Sequence, residues 1–173
     1  MTTPSAAPES SEGFRVLYLW IRPEVRRSHV YSLFFVSFFG IAMMNTMGLL
    51  QPYVLNEILK IPPNEQGALT ANLLTLQEVV QLVLLSLVGA MSDRFGRRPM
   101  FAAGFLALAI GYCLYPLADG RFELAAFRVI VATGIACINA MLIAVGNDYP
   151  MEKSRAKMIA AVFICNGLGI ATL

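Results

Sequence analysis

The chain has 173 residues, 57% of them hydrophobic and 14% charged, with a formal net charge of +2; soluble domains run to roughly 45–50% apolar and about 25% charged. That balance points to a membrane rather than to a water-soluble domain, and so small a net charge leaves no electrostatic footprint for nucleic acid. The three cysteines, Cys113, Cys137 and Cys165, each sit inside an apolar run, where a thiol behaves as a small, soft hydrophobe, and an odd, buried set argues against a disulfide framework. His29 is the only histidine and no Cys/His cluster has zinc spacing, so neither a metal nor a cofactor is expected.

Residues 1–13, "MTTPSAAPESSEG", carry too little apolar surface to offset the entropy of ordering them and predict a disordered cytoplasmic tail. Residues 14–29, "FRVLYLWIRPEVRRSH", mix aromatics with four arginines and predict an interfacial segment at the lipid headgroups. Residues 30–173 then read as transmembrane text. Runs of about 20 apolar residues match the hydrocarbon thickness a helix must cross, and they predict spans at about 30–55, 67–88, 99–117, 123–147 and 158–173. The first is long enough to span and has no evident cleavage site, so it reads as a retained helix. The fifth stops about 16 residues in. A terminal carboxylate in hydrocarbon costs several kcal/mol, so the chain is expected to be a fragment and the transmembrane domain incomplete. The fold class is all-α, a multi-pass transmembrane helical bundle.

Lysine and arginine in the short loops set the expected orientation. Arg15, Arg22, Arg26, Arg27, Arg94, Arg97, Arg98, Lys153, Arg155 and Lys157 fall on one side, against Lys60 and Arg121 on the other. Ten against two predicts a cytoplasmic amino terminus, in the plasma or inner membrane of the cell.

The loop between the second and third spans, "GAMSDRFGRR" at 89–98, is a tight basic turn. Gly89 suits close backbone approach, Gly96 a bend, and Pro99 the first turn of the next helix. Asp93, close in sequence to Arg94, Arg97 and Arg98, is expected to stay ionised and hold the turn in one shape. The spacing G-x-x-x-D-R-x-G-R-R resembles the signature loop between helices two and three of the major facilitator superfamily. At the end of the fourth span, "NDYPMEKSRAK" resembles the family's pattern before helix five, with Asp148 and Arg155 at the matching places and Ala156 where glycine is usual. The resemblance covers about residues 28–173 and implies the first five helices of a twelve-helix fold. It further implies a conformational latch built from Gly89, Asp93, Arg94, Gly96, Arg97, Arg98, Asp148 and Arg155, with Arg97 or Arg98 reaching Asp148 and Asp93 meeting the absent carboxy-terminal half.

Ionisable groups inside the spans need a reason. Glu78 lies midway along the second span and Arg128 about two turns into the fourth. Thr70, Gln77, Glu78 and Gln81 share one arc, and Arg128, Ala132, Ile135, Asn139 and Gly146 one stripe. Arg128 reads either as a binding group for an anionic substrate or as the neighbour of a proton carrier; Glu78 reads as a carboxylate whose burial raises its pKa. The alternative for both is that they neutralise each other or cap polar gaps between helices. Asn45, Gly48 and Gln51 on the first span form a candidate substrate face, with Gly40 and Gly48 alternatively serving close packing and Pro52 a bend. Alanines 132, 136, 140 and 144, and the series Ala103, Ala107, Gly111, predict packing stripes.

These readings converge on secondary active or facilitative transport of a small-molecule substrate by alternating access, with proton coupling open and the lipid bilayer as surroundings. No hydrolase or phosphate-loop motif is present, so the chain is not expected to be an enzyme. The alternative function is a non-transporting receptor-like or scaffolding protein on the same frame.

Overall fold

The computed structural model describes residues 14–16 and 18–172; the tail expected over residues 1–13 lies outside them. Among the described residues, five helices are long and apolar enough to cross a membrane.

Helix α1 spans Arg27–Tyr53 and contains Pro52. Proline lacks an N–H and crowds the carbonyl one turn back, so the ordinary ladder cannot pass it unchanged. The chain widens into a π-helical turn at Val54–Ile58, where the Leu59 N–H reaches the Val54 carbonyl at 2.9 Å. Pro62 and Pro63 then break the chain, and Pro63 opens α2, Pro63–Phe95, at the position where a fixed φ and a missing N–H cost nothing. Gln66 stitches this corner through Nε2, donating to the Ile61 carbonyl at 2.7 Å and to Asn56 Oδ1 at 3.0 Å. Helix α2 is longer than the run 67–88, because its polar ends continue as solvated helix beyond the apolar stretch. Helices α3, Arg97–Leu114, α4, Arg121–Asp148, and α5, Arg155–Ala171, complete the set.

Helix α4 is the hub. Leu124, Val131, Ala132, Ile138 and Met141 on it are fully buried, and it packs mainly against α3 and α2 while α1 packs mainly against α5. The α3–α4 crossing is close because glycines line it. A Cβ on Gly134 would lie 2.8 Å from both the Gly104 carbonyl and the Leu108 nitrogen, and one on Gly111 would lie 2.5 Å from Val131 Cγ2. The stripe expected at Ala103, Ala107 and Gly111 is corrected here. Ala103 is exposed, and the buried face of α3 runs through Met100, Gly104, Leu108 and Gly111, in steps of four, four and three that average close to the 3.6-residue period. On α4, Ala132, Ala136 and Ala140 are buried. Gly40 touches Ile138 and Phe105, whereas Gly48 faces open space, so only the first has a packing role.

The segment expected to lie along the headgroups has a definite local structure. Strand β1, Phe14–Val16, pairs antiparallel with β2, Leu19–Ile21, Phe14 lying opposite Ile21, and α1 begins at Arg27. Leu19 and Ile21 are buried while Trp20 between them points outward, the period of two that a strand with one covered face demands.

Candidate functional site

Two constellations carry chemistry, one at the basic end of the bundle and one between the helices. At the basic end, Gly96 alone joins α2 to α3, with φ 89° and ψ 161°, a region open essentially to glycine only. Directly after it, Arg97 forms an ion pair with Asp148, the last residue of α4. Each charge sits at the helix end whose dipole disfavours it, the cation at an N-terminus and the anion at a C-terminus, so each gains by meeting the other. Arg98 Nη2 lies 3.0 Å from His29 Nε2 on α1. A guanidinium only donates, so this nitrogen accepts and the imidazole proton sits on Nδ1. The neighbouring Tyr149 phenol is pushed up from its ordinary pKa by burial, an effect that Arg98 and Arg97 oppose and Asp148 adds to.

Other members of the expected latch stand apart. Asp93 and Arg94 are exposed, and among the described residues no ion pair joins Asp93 to an arginine. The turn is held instead by the Gly96 N–H on the Ser92 carbonyl at 2.9 Å and by the Ser92 hydroxyl on the Gly89 carbonyl at 2.7 Å; Arg94 lies over the Phe95 ring at 5.7 Å. A Cβ on Gly89 would meet nothing within 4 Å, so the close approach expected there is not made among the described residues. Arg155 is exposed at the start of α5, beyond the short turn Glu152–Ser154, while Asp148 is taken by Arg97.

Between α1, α2 and α4 lies a cavity of about 300 Å³ lined by Asn45, Gly48, Gln51, Thr70, Gln77 and Arg128 together with Met44, Met47, Pro52 and Leu74. Arg128 is 3% exposed, and its Nε and Nη1 have no hydrogen-bond partner among the described residues. Its polar neighbours are Tyr115 and Tyr112 of the α3 segment; among the described residues, no carboxylate lines the cavity. Gln51 Nε2 donates to Thr70 Oγ1 at 2.9 Å, and Asn45 Nδ2 to the Ile41 carbonyl one turn back at 2.9 Å.

Glu78 is elsewhere. It is exposed and lines a separate cavity of about 260 Å³ with Gln81 and Asn139, so both its expected burial and its neutralisation of Arg128 are corrected. The wettable arc of α2 divides: Thr70 and Gln77, seven residues apart on one face, turn toward Arg128, whereas Glu78 is rotated about 100° from Gln77. The stripe on α4 divides too. Asn139 also lines a third cavity, of about 350 Å³, with Gly146, Asn147 and Asn166, eleven residues and therefore roughly 16 Å along the axis from Arg128. Sequence reasoning missed Tyr112 and Tyr115. Their signal was present, two tyrosines three apart on a helix, but their partner was named only by the α3–α4 packing. It also missed the ion pair between Glu65 and Arg121, which joins the start of α2 to the start of α4.

Among the described residues, no group of three or more His, Cys, Asp or Glu side chains is placed to hold a metal ion. A family model described as Major Facilitator Superfamily matches residues 31–173. Magnetosome protein MamH of Paramagnetospirillum magneticum is 28% identical over 155 residues, which cover 85% of this chain and 36% of that protein. Tetracycline resistance protein, class G, of Vibrio anguillarum is 29% identical over 127 residues, 72% of this chain and 32% of that protein. Tetracycline resistance protein, class C, of Escherichia coli is 33% identical over 98 residues, 57% and 24% of the two chains. The chain thus spans about a third or less of the length of these relatives. No solved structure gives a significant match.

Proposed function

The chain belongs to the Major Facilitator Superfamily, and from that premise we propose that it supplies the first five helices of a twelve-helix secondary carrier that moves a small anionic solute by alternating access. It is an integral, multi-pass membrane protein; its loop charges support an amino terminus on the cytoplasmic side. The relatives bear unrelated functional names, so the solute is argued from the cavity. The observation that carries the reading is Arg128: a guanidinium withdrawn from water at the wall of a polar cavity that holds no carboxylate among the described residues, and whose Nε and Nη1 find no hydrogen-bond partner there. Leaving a buried charge unpaired is costly. A carboxylate or phosphate on the solute answers that need with paired, charge-assisted hydrogen bonds. Asn45, Gln51, Thr70 and Gln77 provide neutral hydrogen-bonding groups around it, and a volume near 300 Å³ suits a compact solute. At the basic end, the Arg97–Asp148 pair holds the α2–α3 turn to α4, and Asp93, exposed on the same turn, is available to the other half of the carrier as its share of the latch.

The test is ligand-dependent thermal stability of the purified full-length carrier against small carboxylates, inorganic phosphate and neutral sugars. An anion, and not a sugar, should raise Tm; Arg128→Gln should abolish the shift and Arg128→Lys retain part of it. An unchanged shift in Arg128→Gln would remove the anion cavity, and no shift with any solute would favour the scaffolding alternative.

A further inference from the structure

Strand β2 has a second partner. On the edge away from β1, Ile21 bridges Pro150 in the loop between α4 and α5, antiparallel. The Arg22 N–H donates to the Tyr149 carbonyl at 3.1 Å and the Met151 N–H to the Trp20 carbonyl at 2.9 Å. The Trp20 N–H donates to Ser154 Oγ at 3.0 Å, and Lys153 Nζ stands 3.8 Å above the Trp20 ring. Ile21 and Pro150 are fully buried where they meet. All these attachments fall on residues 149–154, which begin one residue past Asp148.

We propose that the paired strands β1 and β2 form a conformational strap: by fixing residues 149–151 it sets Asp148 against Arg97, and releasing either contact loosens the other. Asp148 and Tyr149 share one rigid peptide unit, so the strap's grip on the Tyr149 carbonyl and the ion pair on the Asp148 carboxylate constrain the same few torsions. The strap is also poised to let go. A two-stranded hairpin is marginal by itself, and the Lys153–Trp20 contact is open to water, where a cation over a ring adds little. The segment ahead of α1 would thereby govern how firmly the α2–α3 turn is tied to α4. This holds whatever the solute is and does not depend on the Arg128 cavity.

Trp20 is the only tryptophan among these 173 residues, so in the full-length carrier reconstituted into phosphatidylcholine vesicles, with any tryptophan beyond residue 173 replaced by phenylalanine, its emission reads the strap directly. Lys153→Met, which removes the cation above the ring, serves as the local control and should change the emission intensity. Arg97→Gln does not touch the indole. Because coupling is reciprocal, it should raise the released population severalfold, by about fivefold at most for a solvent-screened pair, seen as longer-wavelength emission and stronger acrylamide quenching, with helical circular dichroism unchanged. Asp148→Asn should do the same and stands in if Arg97→Gln fails to fold. In the other direction, Ile21→Asp should speed deuterium exchange at the Met151 amide. If Lys153→Met alters the emission while neither Arg97→Gln nor Asp148→Asn does, the coupling is refuted. If none of the three alters it, the strap is not seated on the loop.

Discussion

Gly96 carries two helices on one residue, and its backbone angles fix what can replace it. At φ 89° and ψ 161° a side chain collides with its own backbone, so Gly96→Ala should cost ~1–3 kcal/mol, read as a lower Tm of the purified protein. Gly89, in the same ten-residue loop, should behave in the opposite sense. A Cβ there meets open space within α2, so Gly89→Ala should gain about 0.5–1 kcal/mol from reduced chain entropy. The difference explains what was legible. A one-residue link between two apolar runs is a local constraint, so the need for glycine at position 96 was readable from the sequence. Whether Asp93 finds an arginine was not, because the direction of an exposed side chain is set by neighbours that sequence spacing does not name. Arg128 was readable as costly, since a charge in an apolar run is conspicuous; its tyrosine neighbours required knowledge of which helix lies against it.

At the scale of elements, α4 is held by close packing along its side and by charge at its ends. Gly134 meets backbone atoms of α3, which cannot rotate away as a side chain can, so Gly134→Ala must part the helices. The expected cost is ~1–3 kcal/mol, while Gly48→Ala, beside the Arg128 cavity but clear of any neighbour, should stay within about 1 kcal/mol. The end charges contribute less. Arg97 and Asp148 are each a third to a half exposed, and solvent screens them, so a double-mutant cycle on the pair should return a coupling under about 1 kcal/mol that shrinks as salt rises. The exchange of Arg97→Asp with Asp148→Arg should recover part of that coupling. Hydropathy located the apolar middle of each helix but not its ends, since α2 runs on as polar helix where no hydrocarbon demands apolar side chains. The hairpin was read as headgroup-lying because alternating aromatics and arginines suit both a membrane surface and a half-covered strand; the loop that covers one edge of it lies more than a hundred residues away in the chain.

At the scale of the whole molecule, the described helices present apolar side chains outward, with Val83 and Leu87 on α2 and Ile164 and Leu168 on α5 exposed, as lipid-facing helices require and water-facing ones do not tolerate. The ten-to-two division of loop cations adds a direction to that picture. In intact cells, a cysteine placed by Arg94→Cys should resist a membrane-impermeant maleimide until the membrane is permeabilised; labelling from outside would invert the bundle. The fold class was legible from composition and run length because a bilayer leaves few ways to satisfy a backbone. The division of polar residues among three cavities was not, because it depends on the rotation of each helix about its axis, which an average over a run conceals.

The most direct measurement is saturable uptake of a small radiolabelled carboxylate or phosphate anion into proteoliposomes holding the full-length carrier. Loss of a charge-assisted contact predicts a kcat/KM lower by about tenfold or more in Arg128→Gln, with part of it recovered in Arg128→Lys. Uptake of the same anion at the unaltered rate in Arg128→Gln would contradict the assignment of that cavity to the solute.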